Sequence, residues 1–163
     1  MRLLPAAARA WVPWRNGGGL TSEVAIGPNG AGPDDFGWRI SIARIDRDGP
    51  FSTFEGIDRT LMVLEGGPLV LGGQTLGAGA KLSFDGEAAM SARIETPALV
   101  LNVMTRRGGW RHRIGVPSQE NLLLAPRAIR VGDMNLSPLD ALLLDASEDV
   151  PEGDAILIGI GGH

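Results

Sequence analysis

Along most of the chain, apolar and polar residues alternate with a period of two, in short runs stopped by Gly, Pro, Asn or Asp. A period of two puts successive side chains on opposite faces of a β-strand. In Leu20–Ile26, Thr21 and Glu23 share one face while Ser22, Val24 and Ile26 share the other. In Trp38–Ile45, Trp38, Ile40 and Ile42 point one way and Arg39, Ser41 and Ala43 the other. A short strand is expected at Phe51–Phe54, followed by Arg59–Glu65, Pro68–Leu71 and Lys81–Phe84. Ala88–Glu95 and Ala98–Met104 are divided by Pro97, residues 128–146 form irregular strands and turns, and Ala155–Ile160 is the last strand. Pro13 disfavours helix before it, and a short helix is considered only within Ser118–Leu124. No stretch keeps helical periodicity over three turns, so the class is all-β.

The breaks between runs have turn chemistry. Asn16-Gly17 opens a triple glycine, where a plain turn competes with close backbone approach to a ligand. Neither a Gly-Lys-Ser/Thr sequence nor a strand–loop–helix pattern follows, which disfavours a phosphate loop. Residues 27–37 form a surface loop by composition. An internal echo joins Pro68–Leu71, Gly79 and Lys81–Phe84 to Leu142–Asp145, Gly153 and Ala155–Ile158. It fits either two related halves or two similar hairpins.

Composition narrows the function classes. The 163 residues suit one compact unit spanning 1–163, or two fused halves of about 1–105 and 106–163. The 24 Gly and 11 Pro are spread through the chain, as many closed turns require. A net charge of −4 argues against general affinity for nucleic acid or an anionic membrane. With no cysteine, disulfides, thiolate catalysis and thiolate metal sites are excluded. Pro5 and Arg9 interrupt the apolar N-terminus, so no signal peptide is expected and a cytoplasmic protein is. Arg106, Arg107, Arg111, His112 and Arg113 form a basic cluster, read as a solvated turn because no helix-turn-helix or aromatic array accompanies it.

The succession of strand, Leu64-Glu65-Gly66 turn, strand, glycine and strand resembles the cupin fold, a double-stranded β-helix barrel. Metal-dependent cupins carry His-x-His, a glutamate and a glycine in a first motif. With Gly66 as that glycine, Arg59 stands at the glutamate position, and the histidine slots fall on Ser52 and Phe54 or, with the shorter spacing, on Thr53 and Glu55. In the second motif Pro151-Glu152-Gly153 matches, but Ile156 replaces the histidine, as Leu82 does in the first half. The chain has two histidines, His112 and His163, so no metal centre of the usual cupin kind and no cofactor are expected.

At closer range the chain resembles the HutD/Ves family of cupin-like proteins. The resemblance rests on Trp14–Gly19 with Thr21 and Glu23, Trp38–Ala43, Gly49–Ser52, Asp58-Arg59, Leu64–Gly66 and Leu101–Arg107. It covers roughly residues 11–107; the remainder matches only in its β character. The resemblance implies a bicupin-like barrel linked to histidine utilisation. It also implies binding of a small acidic intermediate such as formylglutamate or urocanate, which moderates the pathway.

A guanidinium where a metal-ligating carboxylate would stand has five donors in a planar fork and suits a carboxylate. Arg59 is therefore the candidate anchor, with Arg39, Asn16, Thr21, Glu23, Ser41, Ser52 and Asn102 as further ligand-binding residues. Alternatives stay open at this stage. Arg59 could instead form an internal ion pair with Glu65 or Glu23, and Arg39 could lie on a solvated outer face. Asn102 could stabilise a loop, while Phe51 and Phe54 are expected to fill the core. The leading expectation is a metal-free, non-catalytic binder of a small carboxylate metabolite, with neither nucleic acid nor membrane as partner. A homodimer through sheet edges is compatible with it. Its rivals are a metal-independent isomerase or hydrolase using Glu23 as general base, and a regulatory interaction protein with a vestigial cavity.

Overall fold

The fold was described from a computed structural model, over residues 1–162. His163 lies outside the described residues. In chain order the strands are β1 (Arg2–Leu4), β2 (Val12–Pro13), β3 (Gly19–Gly27), β4 (Trp38–Ile45), β5 (Gly49–Pro50) and β6 (Ile57–Gly66). Next come β7 (Leu69–Leu71), β8 (Gln74–Leu76), β9 (Lys81–Asp85), β10 (Ser91–Ile94) and β11 (Ala98–Arg106). The remainder are β12 (Trp110–Ile114), β13 (Glu120–Leu124), β14 (Ile129–Val131), β15 (Met134–Leu136), β16 (Ala141–Leu144) and β17 (Ile156–Gly162). The only helical element among the described residues is a single 3-10 turn at Ala6–Ala8. None of them forms a helix long and apolar enough to cross a membrane.

Two compact units divide the chain: Ala10–Arg107, and Met1–Arg9 with the chain from Gly108 onward. In the first, a six-stranded antiparallel sheet runs β2-β3-β4-β11-β6-β9, and a four-stranded sheet runs β5-β10-β7-β8. The alternation that predicted strands also fixes what they bury. Ala43, Ile45, Leu61, Val63, Val100 and Ala98 of the larger sheet pack with Leu69, Leu71, Leu76 and Ala92 of the smaller one. Burial of these aliphatic side chains holds the two sheets together at one end. At the other end polar and charged side chains, Arg39, Ser41, Arg59 and Asn102, stand among aromatic and aliphatic ones, and a cavity opens there.

In the second unit the sheet order is β1-β16-β13-β17-β12, beside the hairpin β14–β15. Its core is aliphatic: Leu123, Val131, Leu136, Leu142 and Leu144 are all buried. The first residues of the chain belong here because β1 adds to the edge of β16. Asp140 fixes the segment after β1, its Oδ1 accepting the Ala6 N–H at 2.8 Å.

Several sequence expectations change. No sheet closes on itself among the described residues, so the expected barrel is not continuous in its hydrogen bonding. The helix considered in Ser118–Leu124 is instead β13, whose Leu122, Leu123 and Leu124 are all buried. Burial on both faces removes the alternation that marks a strand, leaving an apolar run that periodicity cannot assign. Phe51–Phe54 is extended but joins no sheet; the Phe51 and Phe54 N–H groups donate to the Met90 and Gly86 carbonyls. The loop 27–37 is not wholly superficial, since Phe36 is buried and Arg106 stacks over its ring. The internal echo is also displaced. β7 and β16 have different neighbours in their sheets; the hairpin that resembles β7–β8 is β14–β15, with Gly72 and Gly132 both at positive φ.

The basic cluster is divided between the two units. Arg106 donates to the Phe36 carbonyl, and Arg107 is held by Asp58 and Glu87 in the first unit, while Arg111, His112 and Arg113 lie on β12 in the second.

Candidate ligand-binding site

The register of the six-stranded sheet explains which side chains meet. β11 lies between β4 and β6, with Met104 opposite both Arg39 and Arg59. The two arginines thus occupy one cross-strand row, two strand spacings or roughly 9–10 Å apart along the backbone. One step along, Asn102 lies opposite Ser41, and Ser41 is opposite Glu23 on β3. The next row holds Ala43 opposite both Thr21 and Val100. These rows form the wall of a cavity of about 930 Å³.

Every candidate named from the sequence lines this cavity: Asn16, Thr21, Glu23, Arg39, Ser41, Ser52, Arg59 and Asn102. Arg59 is only 5% exposed. Its Nη1 donates to the Ser52 carbonyl at 3.1 Å and its Nη2 to Asn102 Oδ1 at 3.2 Å. The Nε–H is buried without a partner. Phe84, Phe54 and Phe51 surround the guanidinium carbon, with centroids at 4.9, 5.1 and 5.7 Å. Aromatic faces partly compensate a cation, but no carboxylate among the described residues does.

The alternative left open for Arg59, an internal ion pair with Glu65 or Glu23, does not form. Glu65 is exposed, and an irregularity between Leu99 and Val100 passes over Leu64, breaking the simple alternation that put Glu65 on the Arg59 face. Glu23 is engaged by Arg39 instead, Nε to Oε1 at 3.1 Å. Desolvation, with the nearby Arg39 charge, pushes the Arg59 guanidinium down to about 10, so it is still charged at neutral pH.

The remaining candidates divide by what they already bind. Thr21 Oγ1 accepts from Trp14 Nε1 at 2.7 Å, and Asn16 Oδ1 accepts from the Gly18 N–H at 2.8 Å. Both shape the cavity rim as well as lining it. Ser41 is a buried residue on the cavity wall, and its hydroxyl makes no hydrogen bond within the described protein. Asn102 uses its oxygen on Arg59, which turns its amide nitrogen, a donor, away from that bond. Ser52 contributes its carbonyl rather than its hydroxyl.

Sequence reasoning missed the aromatic enclosure. Phe51 and Phe54 pack against the core clusters as expected, but both also line the cavity and flank Arg59. Trp14 also lines it, edge-on to Phe51 at 84°. All four phenylalanines, Phe36, Phe51, Phe54 and Phe84, lie near Arg59 in sequence, and only the strand register shows which of them cage the cation. The triple glycine serves packing. A Cβ on Gly19 would lie 2.3 Å from the Arg44 carbonyl oxygen, and the Trp14 ring covers the same side. Among the described residues no three His, Cys, Asp or Glu side chains converge as metal ligands.

A family model described as HutD matches residues 6–150, and the chain belongs to that family. An uncharacterised 21.2 kDa protein in the hutC 3′ region of Pseudomonas putida is 48% identical over 66 residues, covering 40% of this chain and 34% of that protein. Protein Ves of Citrobacter koseri is 36% identical over 110 residues, covering 63% and 56% respectively. The aligned stretches thus span between a third and somewhat over half of these relatives' lengths. Solved HutD from Pseudomonas fluorescens SBW25 superposes with a TM-score of 0.84 at 26% identity, covering 99% of this chain and 98% of that one. A conserved protein of unknown function from Pseudomonas aeruginosa PAO1 gives a TM-score of 0.79 at 26% identity, covering 98% and 96%.

Proposed function

We propose that this HutD-family chain binds a small carboxylate, such as formylglutamate or urocanate, and through that binding moderates histidine utilisation. The observation that carries the reading is the buried Arg59 guanidinium, charged, open to a cavity and without a carboxylate of its own. Burying such a cation is costly unless something pairs with it. An incoming carboxylate supplies the missing charge and accepts the unused N–H groups in the plane that the phenylalanine rings leave open. Ser41 and the Asn102 amide offer neutral hydrogen bonds beside it. The relative in the hutC 3′ region supports a link to histidine utilisation, and a cytoplasmic setting suits a pathway intermediate as ligand. The cupin-like barrel and the pairing of two related halves belong to the same proposal.

Binding is favoured over turnover because Glu23, the general-base candidate, is held by Arg39 and half exposed. A base tuned by desolvation would be buried alone. The test is calorimetric titration with formylglutamate, urocanate and glutamate. Arg59→Met should weaken the acid that binds by about thirtyfold or more, the usual cost of removing one partner of a buried charge pair. Wild-type affinity in that variant would overturn the reading.

A further inference from the structure

The cavity holds a second arginine without a carboxylate. Arg15, Arg39 and Arg59 line it together with a single acid, Glu23, and Glu23 is taken by Arg39. Arg15 makes no ion pair or side-chain hydrogen bond within the described protein and is exposed. In an acidic chain of net charge −4, this leaves a cavity with an excess of positive charge.

Arg15 does not sit on a loose loop. The Gly17 N–H donates to the Trp14 carbonyl at 3.0 Å, closing a turn with Arg15 at its first central position. Asn16 Oδ1 caps that turn at Gly18, and Arg47 Nη2 donates to the Gly17 carbonyl at 2.6 Å from outside. Trp14 is pinned by Thr21, and the Trp14 N–H donates to the Gly19 carbonyl at 2.9 Å. Three glycines, an asparagine cap and an arginine clamp thus fix a backbone whose one uncommitted cationic side chain stands at the cavity.

We infer that Arg15 is a second anionic-group receptor, so that the ligand is a dicarboxylate with one acid on Arg59 and the other on Arg15. This rests on the reading of Arg59 as the anchor. Two cationic side chains on one cavity, one buried and one exposed, discriminate by number of charges. A monocarboxylate satisfies Arg59 and leaves Arg15 in water, whereas a dicarboxylate of suitable length engages both. An exposed guanidinium contributes less than a buried one, so Arg15 sets preference and Arg59 sets affinity.

The experiment is calorimetry with glutarate and adipate against valerate, a monocarboxylate of similar length, on wild type, Arg15→Gln, Arg15→Lys and Arg59→Met. The wild type should prefer at least one dicarboxylate by roughly three- to tenfold. Arg15→Gln should abolish that preference without changing valerate affinity, and Arg15→Lys should keep part of it. Melting temperatures should be unchanged, because Arg15 makes no internal bond. A wild type that binds valerate as well as either dicarboxylate overturns the inference, as does a preference that survives Arg15→Gln. In those cases a loss of all binding in Arg59→Met would still uphold the anchor. If no acid binds the wild type, the anchor reading fails and this inference with it.

Discussion

Two strands carry a polar residue into similar sheet positions and treat it in opposite ways. β6 runs antiparallel between β9 and β11, and Arg59 on it faces Phe84 and Met104. In the other unit β13 runs antiparallel between β16 and β17, and Asn121 on it faces Leu144 and Gly159. Asn121 is closed on its own preceding loop: Oδ1 accepts the Ser118 N–H at 2.9 Å and Nδ2 donates to the Ser118 carbonyl at 3.0 Å. Gly159 lets that loop lie against the sheet, since a Cβ there would be 2.1 Å from the Val116 carbonyl oxygen. Arg59, by contrast, keeps a buried N–H without a partner beside a cavity of about 930 Å³. A neutral amide with both its oxygen and its nitrogen engaged is a structural solution; a charged group left incomplete beside open volume points to a partner from outside.

The sharpest way to break that contrast is to remove the charge. If Arg59 is held at a cost for the sake of a ligand, Arg59→Met should leave the free protein as stable as wild type or raise its stability by roughly 1–3 kcal/mol. Denaturant midpoints at unchanged slope would measure this. A loss of several kcal/mol would instead make Arg59 a structural member like Asn121. The opposite result is expected for Asn121→Ala. It strands the Ser118 N–H and carbonyl and should cost about 1–3 kcal/mol, with acid affinity unaltered.

Protonation sharpens the comparison further. Arg59 titrates below its ordinary range, at about 10, so the charged form disfavours folding at neutral pH and this cost is relieved as pH rises past about 10. A carboxylate ligand needs the charge, so its affinity should fall over the same window; calorimetry from pH 7 to 11 would show it. A flat profile would count against Arg59 as the receptor.

The smallest effect is expected on the acid side. Glu87 is brought down to about 2 by Arg107 and by the Gly56 N–H. A depressed carboxylate stabilises fully above its ordinary value of 4.5 and loses that contribution as pH falls toward about 2. Glu87→Gln should therefore flatten the acid limb of the unfolding curve slightly and leave ligand binding untouched.

Much of this was legible in the chain. Alternation in Trp38–Ala43 identified a strand, and it put Arg39 and Ser41 on one face because a pleat permits nothing else. Arg59 was singled out differently, by standing where the resembling cupin motif has its glutamate; its own strand also carries Asp58 and Glu65. Where alternation failed, so did the inference. Leu122–Leu124 is buried on both faces and gave no period, while the irregularity beside Leu64 turned Glu65 away from Arg59. The long-range echo misled because sequence similarity between hairpins says nothing about which strands they pair with.

Local rules acting over a few residues fixed the strands, the turn at Trp14–Gly19 and the identity of the charged groups. Pairing between distant strands decided the rest: that Glu23 goes to Arg39, that three phenylalanines enclose Arg59, and that no acid among the described residues reaches it. Alternation sets the face a side chain takes, but the register of strands some forty residues apart sets its neighbours, and a charge is defined by its neighbours.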